Sequence, residues 1–86
     1  MVYTIKFNSK AAKALLKMPR DTAALIRKKL DVLAIDPFAE NENVKMLQGR
    51  SGFRLRVGDW RVIYEVIKEE VVIVVIKIAS RGDVYK

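Results

Sequence analysis

Residues 53–64 read Phe53-Arg54-Leu55-Arg56-Val57-Gly58-Asp59-Trp60-Arg61-Val62-Ile63-Tyr64. Two short runs of strand-forming side chains flank a Gly-Asp pair, the pattern of a β-hairpin closed by a two-residue turn. Such a turn pairs Val57 with Trp60, Arg56 with Arg61 and Leu55 with Val62. Strand side chains alternate between faces, and directly paired residues share one. Phe53, Leu55, Val57, Trp60, Val62 and Tyr64 therefore form an apolar face that needs a covering layer, while Arg54, Arg56 and Arg61 gather on the other. Exposed arginines often serve only solubility. Three on one surface, with no carboxylate opposite them, point instead toward an anion site.

The covering layer lies N-terminal to the hairpin. Val2-Tyr3-Thr4-Ile5-Lys6-Phe7 alternates as a first strand, and Asn8 or Ser9 suits the start of a helix. Residues 10–17 place Ala11, Ala12, Leu15 and Leu16 at helical spacing until Met18-Pro19 interrupts them. A second helix is predicted over residues 20–35, with Ala23, Ile26, Leu30 and Leu33 on one stripe and Asp36-Pro37 as its stop. Residues 38–52 show no sustained period and read as a long loop anchored by Met46-Leu47. After the hairpin, Lys68-Glu69-Glu70 makes a turn, and residues 71–78 form a nearly unbroken β-branched run, as expected of an inner strand. The helices cover one face of that strand. The other, carrying Val72, Val74 and Ile76, lies beside the arginines and either awaits a partner or is covered by the C-terminal tail. The chain of 86 residues, 51% hydrophobic, suits one small domain spanning residues 1–86. The predicted fold class is α+β in two layers: an N-terminal strand, then a helical hairpin packed on a mainly antiparallel four-stranded sheet.

Composition narrows the chemistry. Without cysteine or histidine, there is no disulfide framework, no thiolate or imidazole metal ligand and no histidine general base. No metal or cofactor is expected. The formal charge of +7 suggests a polyanionic partner, either nucleic acid or an acidic protein. No signal-like or membrane-spanning segment is apparent, so a cytoplasmic protein without membrane association is expected. By parity Glu65 reaches the arginine face, as a base or as an ion-pair partner of Arg54. Arg81 and Tyr85 follow the last strand. Arginines bind phosphate and stabilise added transition-state charge, a tyrosine stacks on a base, and RNA carries its own 2′-hydroxyl nucleophile.

The element order, together with Leu47-x-Gly49, the stretch from Gly52 to Tyr64, and Ala79-Ser80-Arg81-Gly82-Asp83-Val84-Tyr85, resembles the RelE/ParE superfamily of toxins from type II toxin-antitoxin pairs, with the RelE-like branch favoured. The resemblance implies a ribosome-dependent endonuclease that cuts messenger RNA in the A site through attack of the 2′-hydroxyl on the adjacent phosphate. Arg54, Arg56, Arg61, Arg81 and Tyr85 match its catalytic positions: Arg61 and Arg81 on the scissile phosphate, Arg54 and Arg56 holding RNA, Tyr85 stacking. It also implies an antitoxin, acidic and partly disordered when free, for which Val72, Val74 and Ile76 offer a landing surface, and operator DNA as a partner only of the toxin-antitoxin complex. Gly52 and Ser80 stand where some RelE toxins carry lysine and many relatives carry histidine. The same hairpin occurs in ParE-type toxins, which inhibit DNA gyrase without cutting RNA. A degenerate member that only binds antitoxin and represses its operon is a third reading.

Overall fold

The computed structural model describes residues 2–80. Its elements are β1 (Thr4–Phe7), α1 (Ser9–Lys17), α2 (Arg20–Ile35), β2 (Val44–Met46), β3 (Phe53–Val57), β4 (Trp60–Ile67), a 3₁₀ turn (Lys68–Glu70) and β5 (Val72–Ser80). The strands form one sheet in the order β1-β5-β4-β3-β2. Only the β1–β5 pair is parallel, and the other three pairs are antiparallel. The two-layer α+β architecture is the one expected, and β5 is an inner strand between β1 and β4.

Local chemistry sets the helix limits. The Asn8 side chain accepts a hydrogen bond from the Ala11 N–H at 2.8 Å, satisfying one of the otherwise unpaired amides of the first turn of α1. Pro19 keeps Met18 extended (φ −89°, ψ 164°), which separates the helices. Asp36 ends α2 in an extended conformation before Pro37. Each helix buries one stripe: Ala11 on α1, and Ile26, Leu30, Leu33 and Ala34 on α2. Leu15 packs against this core, but Leu16 is 87% exposed. Successive helical residues lie about 100° apart, which puts Leu16 off the packed stripe of Ala11, Ala14 and Leu15.

On the sheet, the predicted hairpin register holds at every pair: Leu55 with Val62, Arg56 with Arg61, Val57 with Trp60. Gly58, at φ +58°, supplies the left-handed turn residue that a side chain would disfavour. Leu55, Val57, Val62 and Tyr64 are buried in the same cluster as Ile26 and Leu30, with Phe53 and Trp60 packed against it. The Phe53 and Tyr64 rings stack with centroids 5.5 Å apart.

Three features depart from the linear reading. Residues 44–46 lie within the expected loop yet form a fifth strand, pairing Val44 with Leu55 and Met46 with Phe53. Three residues are too few to show a period in sequence, and the strand exists because β3 offers it an edge. Val71 belongs to the turn rather than to β5, at φ 55°, an unusual conformation for a β-branched residue. Finally, β4 and β5 shift register at a bulge: Tyr64 faces Val75 while Ile63 faces Lys77. Ile76 is the extra residue, so strict alternation along β5 fails beyond Val75. On the face away from the helices, Val72 is buried at 6% exposure and Val74 is half-buried, as is the bulge residue Ile76. Val72 therefore presents little surface, whereas Val74 and Ile76 remain partly accessible.

Two substitutions test the packing. Ile26→Ala should lower unfolding stability by about 2–5 kcal/mol, whereas Leu16→Ala should stay within about 0.5 kcal/mol, both read from urea denaturation.

The Tyr64 hydroxyl supplies a pH-dependent test. It is buried with no hydrogen-bond partner among the described residues, and burial pushes it from the ordinary 10.0 up to about 12. Between those values the unfolded chain loses this proton while the folded chain keeps it, so stability falls as pH rises from 10.0 to about 12. Tyr64→Phe should remove that share of the alkaline loss and be neutral or stabilising at pH 7, in paired denaturation curves.

Candidate nucleic-acid interface

The face of the sheet away from the helices is organised in cross-strand rows. Lys45 pairs with Arg54, Arg54 with Ile63 and Ile63 with Lys77. In the next row Arg56 pairs with Arg61 and Arg61 with Ala79. The three arginines predicted to share a surface do so. They open onto a cleft lined by Glu42, Asn43, Lys45, Arg54, Arg56 and Arg61.

Each wall of the cleft has a backbone cause. Arg54 and Arg56 are outward residues of β3, alternating with buried Leu55 and Val57. Arg61 is the second residue of β4, and its Nη1 donates to the carbonyl oxygens of Gly58 at 3.3 Å and Trp60 at 3.1 Å. The hairpin turn thus holds one side of that guanidinium. The segment before β2 is tied down separately: the Asn43 N–H donates to Asn41 Oδ1 at 2.9 Å, the Val44 N–H to the Asn41 carbonyl at 3.1 Å and the Arg56 N–H to the Asn43 carbonyl at 2.8 Å.

Among the described residues, four cations and one carboxylate line the cleft. Arginine presents a planar fork of donors to phosphate oxygens, and lysine adds a point charge. Glu65 accepts a hydrogen bond from the Ser51 hydroxyl at 3.1 Å and does not line the cleft. Beside Ser51, Gly52 is held by its backbone: it has φ +115°, and a Cβ there would meet the Tyr64 carbonyl oxygen at 3.0 Å. Among the described residues, no group of three or more metal-binding side chains converges, and no helix is long and apolar enough to cross a membrane.

Arg81 and Tyr85, expected at this site, lie outside the described residues. Ser80 pairs with Trp60, so the described chain ends beside the hairpin turn. Lys45, Lys77 and Glu42 escaped the sequence reading. Val44-Lys45-Met46 does alternate, and pairing that triplet with β3 would have found Lys45. Lys77 reaches the arginine face only through the bulge, which unbroken alternation cannot foresee.

A family model described as the ParE toxin of type II toxin-antitoxin systems matches residues 5–85. Among solved structures, the chain is similar to one in the archaeal RelE-RelB complex from Pyrococcus horikoshii OT3, with 31% identity and a TM-score of 0.82 over 95% of this chain and 98% of that one. It is also similar to the isolated Escherichia coli RelE toxin, with 28% identity and a TM-score of 0.79 over 96% and 90% of the two chains. The protein named mRNA interferase toxin RelE from Escherichia coli K12 is 28% identical over 81 residues, which cover 94% of this chain and 85% of that one.

The cleft predicts a strongly salt-dependent polyanion site. Arg61→Ala and Lys45→Ala should each weaken binding of a single-stranded oligoribonucleotide and lower the slope of log K against log salt by about 0.7, measured by fluorescence anisotropy at several salt concentrations.

Proposed function

Because the chain belongs to the ParE toxin family of type II toxin-antitoxin systems, within the RelE/ParE superfamily, we propose that it is a RelE-like toxin that cuts messenger RNA in the ribosomal A site. The observation that carries this reading is the convergence of Lys45, Arg54, Arg56 and Arg61 on one cleft. The similarity to a protein named mRNA interferase supports the same activity.

Arg61 and Arg81 contact the scissile phosphate and neutralise the charge that builds on it. Arg54 and Arg56 hold the RNA and favour ionisation of the attacking 2′-hydroxyl, and Tyr85 stacks on a base. The 2′-oxygen bonds to phosphorus as the bond to the 5′-oxygen breaks, and Arg81 protonates the leaving oxygen. The products are a 2′,3′-cyclic phosphate and a 5′-hydroxyl. The RNA supplies the nucleophile, so the protein contributes position and positive charge. The reaction takes place in the cytoplasm, where ribosomes and message meet.

An acidic antitoxin is the second partner, as its counterpart is in the RelE-RelB complexes to which the chain is similar. Val74 and Ile76, with the edge of Val72, and the neighbouring cations suit an amphipathic acidic segment that orders on binding. Operator DNA is bound only by the resulting complex.

A ParE-like gyrase inhibitor is the second reading. It is favoured by the ParE family model and by a backbone at Gly52 that a side chain would strain, at a position where some RelE toxins carry lysine.

Purified ribosomes translating a defined message, with cut ends mapped by primer extension, separate the readings. The RNA-cutting reading expects cuts inside A-site codons that require the ribosome, with Arg61→Ala and Arg81→Ala each reducing the rate by about 10²–10³-fold. Intact message accompanied by loss of gyrase supercoiling activity would transfer the assignment to the second reading.

A further inference from the structure

We infer that Glu42 is the proton acceptor for the attacking 2′-hydroxyl, a role that rests on the RNA-cutting reading above. Arginine stays protonated at neutral pH and is a poor base, and the chain has no histidine. A carboxylate is an acceptor-only group once ionised. Among the described residues, Glu42 is the one carboxylate that lines the cationic cleft, together with Lys45, Arg54, Arg56 and Arg61. Glu65 is engaged by Ser51 outside that lining.

The backbone delivers Glu42 there. It lies between Asn41 and Asn43, in a turn closed by the Asn43 N–H on Asn41 Oδ1 and by the Val44 N–H on the Asn41 carbonyl. The Arg56 N–H then ties the Asn43 carbonyl to β3 at 2.8 Å, so the backbone next to Glu42 is joined to that of Arg56. In the step, a Glu42 carboxylate oxygen takes the 2′-hydroxyl proton as the 2′-oxygen bonds to phosphorus. The 5′-oxygen departs with the bonding electron pair and receives a proton from Arg81. Solvent then takes the proton from Glu42 and restores the one on Arg81, leaving the protein unchanged.

The sign of the effect separates this role from a bystander charge. A negative group in a polyanion site repels RNA, so a carboxylate with no chemical duty would bind message more tightly, and cut it no more slowly, once neutralised. A proton acceptor contributes about 10²–10⁴-fold to rate.

The test is single-turnover cutting of ribosome-bound message by the wild-type protein, Glu42→Gln, Glu42→Ala and, as a control, Glu70→Gln in the exposed turn after β4. The expected result is loss of about 10²–10⁴-fold in rate for both Glu42 variants, with ribosome binding unchanged or tighter and Glu70→Gln at the wild-type rate. Added formate should restore part of the Glu42→Ala rate in proportion to its concentration. Wild-type cutting with Glu42→Gln equally fast or faster overturns the role of Glu42 alone, as does a slowed Glu42→Ala variant that formate leaves unchanged. Wild-type protein that leaves the message intact overturns the endonuclease reading and this inference with it.

Discussion

The pairing of Val57 with Trp60 across the Gly58–Asp59 turn is the constraint on which the remaining structure depends. From that pair outward, strand geometry assigns each side chain of β3 and β4 to one of two faces. A slip of one residue would exchange the faces, driving Arg54 and Arg56 under the helices and exposing Leu55 and Val57. Leu55, Val57, Val62 and Tyr64 are all buried, and full burial of such a side chain is worth about 1.5–3 kcal/mol. The correct register is therefore separated from its neighbours by several such terms, before any charge is desolvated.

The register that protects the core also concentrates repulsion on the other face. Arg56 and Arg61 lie directly opposite one another, an arrangement that costs a fraction of a kcal/mol or more on a sheet. Lys45 beside Arg54 adds to it. A polyanion bound on this face would offset that repulsion. Arg61 shows how the fold limits the cost: the carbonyl oxygens of Gly58 and Trp60 take up its Nη1 at the turn that sets the register.

The elements legible in the sequence were those with local causes. Asn8, Pro19 and Asp36-Pro37 mark helix boundaries through capping and through the restriction that proline places on the residue before it. The Ile26, Leu30 and Leu33 stripe follows from helical period. Elements with non-local causes stayed hidden. The strand Val44–Met46 has no period long enough to read, and Leu16 looked like core but lies off the packed stripe of α1. The bulge that leaves Ile76 unpaired and turns Lys77 toward the arginines is a property of the β4–β5 ladder, and neither strand carries it alone.

The same division governs the candidate site. That Arg54, Arg56 and Arg61 share a face opposite an apolar one was readable from residues 53–64 alone, because a two-residue turn and a two-residue side-chain period are both local quantities. Tertiary structure alone decided that this face becomes a cleft and what else enters it. Lys45 arrives on a strand that β3 recruits, and Glu42 on a turn tied to the Arg56 backbone. Both depend on hydrogen bonds between segments well separated along the chain, and such bonds follow from how the sheet edge is completed, which no window of neighbouring residues encodes.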